Sequence, residues 1–181
     1  GENGTLTVNV NGTYSYKADA NTGGKADSFK FEITDADNDK AEATIDITIS
    51  AATGPTATTK VTVDEKGLFD STDNSEIANV TVPGYTIVSG GDGTYGNISL
   101  VDGKWVYTLT GTFEHTGEGT DTAEDADTVT IKVKDAQGNT FNVDVKVDIK
   151  DAVPTISASD NLTAVSGNES ETTGTLSHNF G

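Results

Sequence analysis

Alternate carboxylates in the run Asp35-Ala36-Asp37-Asn38-Asp39 can turn their oxygens toward one point, and a hard cation such as calcium takes about six to eight oxygen ligands. Calcium binding by Asp35, Asp37 and Asp39 is the chemistry this spacing offers. Asp and Asn are also ordinary hairpin-turn residues, so a solvated acidic turn is the competing reading. An EF-hand is excluded, because Lys40 stands where its glycine must be and the flanking segments are patterned as strands. The equivalent turn, Asp135-Ala136-Gln137-Gly138-Asn139, keeps one carboxylate, Asp135, and offers a weaker site or none.

A second acidic group lies near two prolines. Asp148 and Asp151 precede Pro154, and Asp64 and Glu65 follow Pro55. Carboxylates from successive units that meet at a short linker can share a cation and stiffen a hinge, the alternative being plain polar linker residues. A third stretch, Glu114 to Asp127, holds Glu118, Asp121, Glu124 and Asp125 among glycine and threonine and reads as a flexible solvated loop, a ligand site built around a cation being the alternative. Trp105 and Tyr107 alternate along one segment and Tyr14 and Tyr16 along its counterpart, as core aromatics of a strand do; stacking of Trp105 on a sugar is the alternative. His115 and His178 have no partner pattern and read as exposed polar residues without a role.

Composition narrows the chemistry further. The absence of cysteine removes disulfides, thiolate nucleophiles and cysteine-ligated metals, and two histidines leave little for triads or histidine clusters. Nothing singles out a carboxylate pair for glycoside hydrolysis, so no enzymatic function is expected. Acidic residues number 29 against 11 basic ones, and a net charge of −18 repels nucleic acid and anionic lipid. Divalent counter-charges offset such self-repulsion, which again points to calcium. No apolar run approaches the ~20 residues of a membrane helix, and with no signal peptide at either end the chain reads as an internal piece of a longer one.

The elements that must position these residues are strands. Apolar residues alternate with period two at Leu6, Val8 and Val10; Phe29, Phe31 and Ile33; Ile45, Ile47 and Ile49; Val129, Ile131 and Val133; and Val143 to Ile149, which predicts half-buried strands. Asn11-Gly12 and Asp102-Gly103 are hairpin turns between such runs. The chain also repeats itself. Phe29 to Ile49 falls against Val129 to Ile149 at an offset of 100, Leu6 and Val8 against Ile98 and Leu100 at 92, and Gly12, Tyr14 and Tyr16 against Gly103, Trp105 and Tyr107 at 91. The expected fold is all-β, with tandem antiparallel β-sandwich repeats of Ig-like or cadherin-like type and about 100 residues each. Residues 1–52 would be the closing strands of one unit, 53–152 a complete unit, and 153–181 the opening of a third. Partial units require completion by flanking repeats or by strands of another copy.

The segments ITDADNDKAEATIDITI (Ile33 to Ile49), VTVDEKGLFD (Val61 to Asp70), KDAVPTI (Lys150 to Ile156) and GTLSHNFG (Gly174 to Gly181) together resemble the tandem repeats of giant RTX-type bacterial adhesins exported by type I secretion. The resemblance implies Ig-like or cadherin-like extender domains that hold a distal ligand-binding region away from the cell, outside it and on its surface, with calcium at and near the linkers. By position it implies Asp35, Asp37, Asp39, Glu65 and Asp151 as ligands. Implied partners are neighbouring repeats, with no host ligand bound by this segment. Two readings stay beside it: a subunit of an extracellular fibre joined by strand exchange, and a calcium-dependent carbohydrate-binding module.

Overall fold

A computed structural model describes residues 1–70, 72–116, 121–153, 155–158 and 176–179, the last two segments by their backbone alone. Glu118, Pro154, the side chain of His178 and most of the third unit read from the sequence therefore lie outside the described residues. The chain forms two compact units, Gly1–Thr56 with Gly84–Thr86 and Val133–Phe141, and Ala57–Pro83 with Ile87–Lys132 and the chain from Asn142 onward. No helix among the described residues is long and apolar enough to cross a membrane.

The first unit holds two antiparallel hairpins, β1 (Gly4–Val8) with β2 (Tyr14–Ala18), and β3 (Ala26–Thr34) with β4 (Lys40–Thr48). Gly12 turns the first hairpin at φ +81°, a conformation that glycine adopts without steric cost. The alternating pattern is present and most of its apolar face is half-buried, at Leu6, Tyr16, Phe29, Phe31, Ile45 and Ile47, but the face is open toward the hairpin tips. Val8 is 49% exposed and Ile33 72%. The two hairpins meet through Tyr16 and Phe29, whose rings lie edge-on at 6.1 Å between centroids, but with two strands in each sheet nothing covers the tips at Val8 and Ile33.

The second unit is a β-sandwich. One sheet runs in the order β6 (Ile77–Asn79), β10 (Lys104–Leu109), β9 (Gly96–Val101), β8 (Gly91–Asp92). The other runs β5 (Thr59–Asp64), β12 (Thr140–Lys150), β11 (Thr122–Lys134), β7 (Thr86–Ser89). A short helix, α1 (Lys66–Phe69), follows β5, and β13 (Thr155–Ala158) pairs with β14 (Leu176–Asn179). Val129, Ile131, Val133, Val145, Val147 and Ile149 are buried at every second position, with Tyr107 and Leu109 buried from the opposing sheet. The architecture is thus all-β and Ig-like, and Tyr107 is a core residue.

The pairing of β5 with β12 departs from the antiparallel pattern. β5 runs parallel to β12, with Thr59 opposite Val145 and Asp64 opposite Lys150. Two parallel neighbours end on the same edge of a sheet, so the residues that follow them, Glu65 and Asp151, come out side by side. The Glu65 N–H donates to the Lys150 carbonyl (3.0 Å), and the Asp151 N–H donates to the Asp121 carbonyl just ahead of β11 (2.9 Å).

A buried brace recurs in the two units. The Tyr107 hydroxyl donates to Asp127 (2.8 Å), which also accepts the backbone N–H groups of Thr94 (2.8 Å), Tyr95 (3.0 Å) and Thr128 (2.8 Å). In the first unit the Tyr16 hydroxyl donates to Asp27 (2.7 Å), and Asn3 donates to the same carboxylate from its backbone and its side chain. Gly96 and Gly4 pack on the two tyrosine rings, where a Cβ would collide with them. Burial alone would raise the Asp127 pKa, but the four hydrogen bonds outweigh it and hold the carboxyl below the usual range. Asp27 is lowered chiefly by its bond from Tyr16.

Candidate metal centre

The turn between β3 and β4 brings one oxygen each of Asp35, Asp37 and Asp39 within 4.8 Å of one another, all three residues exposed. Asn38 makes the turn possible by taking φ +70°, which Asn tolerates better than most residues. Asp35 Oδ1 accepts the N–H of Asp39 (2.9 Å) and, more weakly, that of Asp37 (3.3 Å), leaving Oδ2 clear of the backbone. A hydrogen bond shared with the Asp37 carboxyl, followed by the Asp39 N–H, holds the Asp35 pKa below the usual carboxylate value. Two carboxyl groups so close are the donor type a calcium ion takes, and the residues present fit it. The corresponding Asp135 is occupied by its own turn: it accepts the N–H groups of Gln137 (2.9 Å) and Asn139 (2.8 Å) and the Asn139 side chain (2.8 Å).

The second acidic group divides. Asp148 sits on β12, bridges to Lys60 at 2.9 Å and accepts the Asp125 N–H at 2.8 Å. Lys60 is raised by Asp148 first and Asp125 second, so these charges already have protein partners. Asp64 accepts the Lys66 N–H (2.9 Å) and pairs with Lys150 (2.9 Å). Glu65 and Asp151 instead meet within the second unit, at the common edge of β5 and β12.

A residue assigned no role by the sequence joins them. His115 offers a ring nitrogen within 4.8 Å of oxygens from Glu65 and Asp151. The residue is half-buried as a whole but its side chain is only 5% exposed, so the ring expected in solvent is covered. The Phe113 ring packs edge-on against it at 5.0 Å between centroids, and the Phe113 N–H donates to Glu65 Oε1. The acidic stretch around it is likewise not a solvated loop throughout. From Thr122 it is strand β11, in which Glu124 and Asp125 stay exposed while Asp127 is 3% exposed, its carboxylate turned into the sandwich toward Tyr107. His115 and the brace residues Asp27 and Asp127 were missed by sequence reasoning, which placed Asp121 in a stretch read mainly as a solvated loop. For the brace a signal existed: Asp27 and Asp127 stand at the same offset of 100 as the strands that carry them.

Trp105 is half-buried and lines a surface groove of about 490 Å³ with Asn79, Val80, Thr81, Gly103 and Lys104.

Residues 1–48 match the family model described as a bacterial Ig domain, which supports an Ig-like repeat of the kind commonly carried by extracellular and surface proteins. Comparison with curated proteins and with solved structures finds no significant match.

Proposed function

We propose that this chain is a structural segment of a secreted bacterial surface adhesin: an extender whose stacked Ig-like modules project a distal binding region for cell attachment or biofilm formation, with calcium at its acidic turns supplying stiffness. The observation that carries the reading is the recurrence of one brace, Gly96-Tyr107-Asp127 and Gly4-Tyr16-Asp27, in two units. Repeated modules in which buried polar groups serve the framework make length, not catalysis, and the chain is read as non-enzymatic. The RTX-type, type I-secreted context comes from the sequence resemblance; the family match to a bacterial Ig domain supports the module. Neighbouring repeats are its partners, and other copies of the chain are the alternative partner in a strand-exchanged fibre.

Calcium enters through the Asp35, Asp37 and Asp39 oxygens and through the net charge of −18. A calcium titration followed by thermal melting tests this. The transition of the first unit is expected to rise with calcium and to lose that response when Asp37 and Asp39 are replaced by Asn; an unresponsive wild-type chain would remove calcium from the account.

The groove at Trp105 favours a second reading, a carbohydrate-binding module, because an aromatic face beside Asn79 and Lys104 can stack and hydrogen-bond a sugar ring. Glycan-array binding abolished by Trp105→Ala would select it over the extender.

A further inference from the structure

We infer that Glu65, His115 and Asp151 form a site for a divalent transition metal of zinc type, distinct from any calcium site of the exposed turn. The three offer ligand atoms within 4.8 Å of one another, a short inward movement from the ~3.4 Å edge of a tetrahedron with bonds of about 2.1 Å. They come from three elements: Glu65 from the end of β5, Asp151 from the end of β12, and His115 from the segment after β10 in the other sheet.

An acidic cluster alone would carry nothing. Here the independent observation is the imidazole. The His115 side chain is 5% exposed and Glu65 beside it 6%, yet neither ring nitrogen has a hydrogen-bond partner among the described residues. Nε2 lies 3.5 Å from Glu65 Oε2, too far for a good hydrogen bond, and Nδ1 lies 2.6 Å from the buried Asp121 Oδ1 without hydrogen-bond alignment. A ring nitrogen buried without a hydrogen bond costs desolvation free energy, and at Nε2 a metal bond would recover it. Glu65 Oε1 is held by the Phe113 N–H, which leaves Oε2 for the ion.

The donor set selects the metal. Calcium prefers all-oxygen shells, whereas imidazole with carboxylates suits zinc and its neighbours. With Nε2 on the ion, Nδ1–H would face Asp121, the carboxylate–histidine–metal arrangement that fixes ring orientation. Two ligand carboxylates also balance the ion's charge. Bound here, the ion would tie β5 and β12 to the segment leaving the opposite sheet and close one end of the sandwich. This site does not rest on the extender reading, and either can fail alone.

The test uses the whole chain, stripped with EDTA and titrated with zinc chloride by calorimetry, with cobalt(II) absorption as a ligand-field readout and Trp105 fluorescence following thermal unfolding. The expected result is one equivalent of zinc retained in excess calcium, a higher transition temperature, and a cobalt spectrum of low coordination number. His115→Gln should abolish all three, and Asp121→Asn should weaken zinc about 10–100-fold while leaving the fold unchanged. Should His115→Gln fail to fold, Asp151→Asn replaces it, with the same loss expected. No zinc uptake, uptake unaltered by these substitutions, or equal stabilisation by calcium alone would overturn the assignment.

Discussion

Replacing Tyr107 with Phe removes one oxygen from the centre of the second unit and nothing else. That hydroxyl is fully buried and donates to Asp127 Oδ2 at 2.8 Å, an oxygen that also accepts the Tyr95 N–H at 3.0 Å. Hydrogen bonds to a charged acceptor contribute about 1.5–3 kcal/mol. Because three backbone N–H groups remain on the carboxylate, the loss should fall at the lower end, about 1.5–2 kcal/mol, or roughly 10 °C for a unit of this size. Asp127→Asn should cost more, about 3 kcal/mol, since an amide nitrogen then faces donors that need an acceptor. The double variant should lose less than the sum, because the two residues share one bond. Urea unfolding followed by Trp105, the single tryptophan of the chain and a residue of β10, reads this unit directly. A loss below about 0.5 kcal/mol for Tyr107→Phe, or strict additivity, would refute the brace as a structural centre.

The depressed Asp127 pKa sets an acid limit. A carboxyl lowered by folding stabilises above its unfolded value, about 3.9, and that contribution fades as pH falls through the folded value, so the second unit should weaken below about pH 4 and Asp127→Asn should flatten the slope in acid melts. Gly96→Ala sets a methyl within 2.5 Å of the Tyr107 ring and should cost about 1–3 kcal/mol by overpacking, measured by the same urea titration. Asp37→Asn combined with Asp39→Asn should leave the metal-free melting temperature nearly unchanged and remove the calcium response, whereas Asp135→Asn should lower stability with or without calcium, because Asp135 holds its own turn.

What the sequence revealed and what it hid follow from the same physics. Period-two alternation and Asn-Gly or Asp-Gly turns are local, so the strands around Val129 to Ile149 and the turn at Gly12 were legible. The constant offset of 100 exposed the repeat for the same reason. Exposure of Val8 and Ile33 was not legible, because alternation predicts which face is apolar and not whether anything covers it. The union of Glu65 with Asp151 depends on β5 lying parallel to β12, a pairing between residues about 86 apart that no local signal encodes. His115 looked isolated because its neighbours in sequence are glycine, threonine and acids, while its neighbours in space come from the ends of other strands.

The extender reading turns on stiffness supplied by bound cations, and small-angle X-ray scattering of the chain in calcium and then in EGTA measures it most directly. A fixed maximum dimension in calcium that broadens and shortens after chelation is the predicted result. Superimposable curves in the two buffers would contradict it.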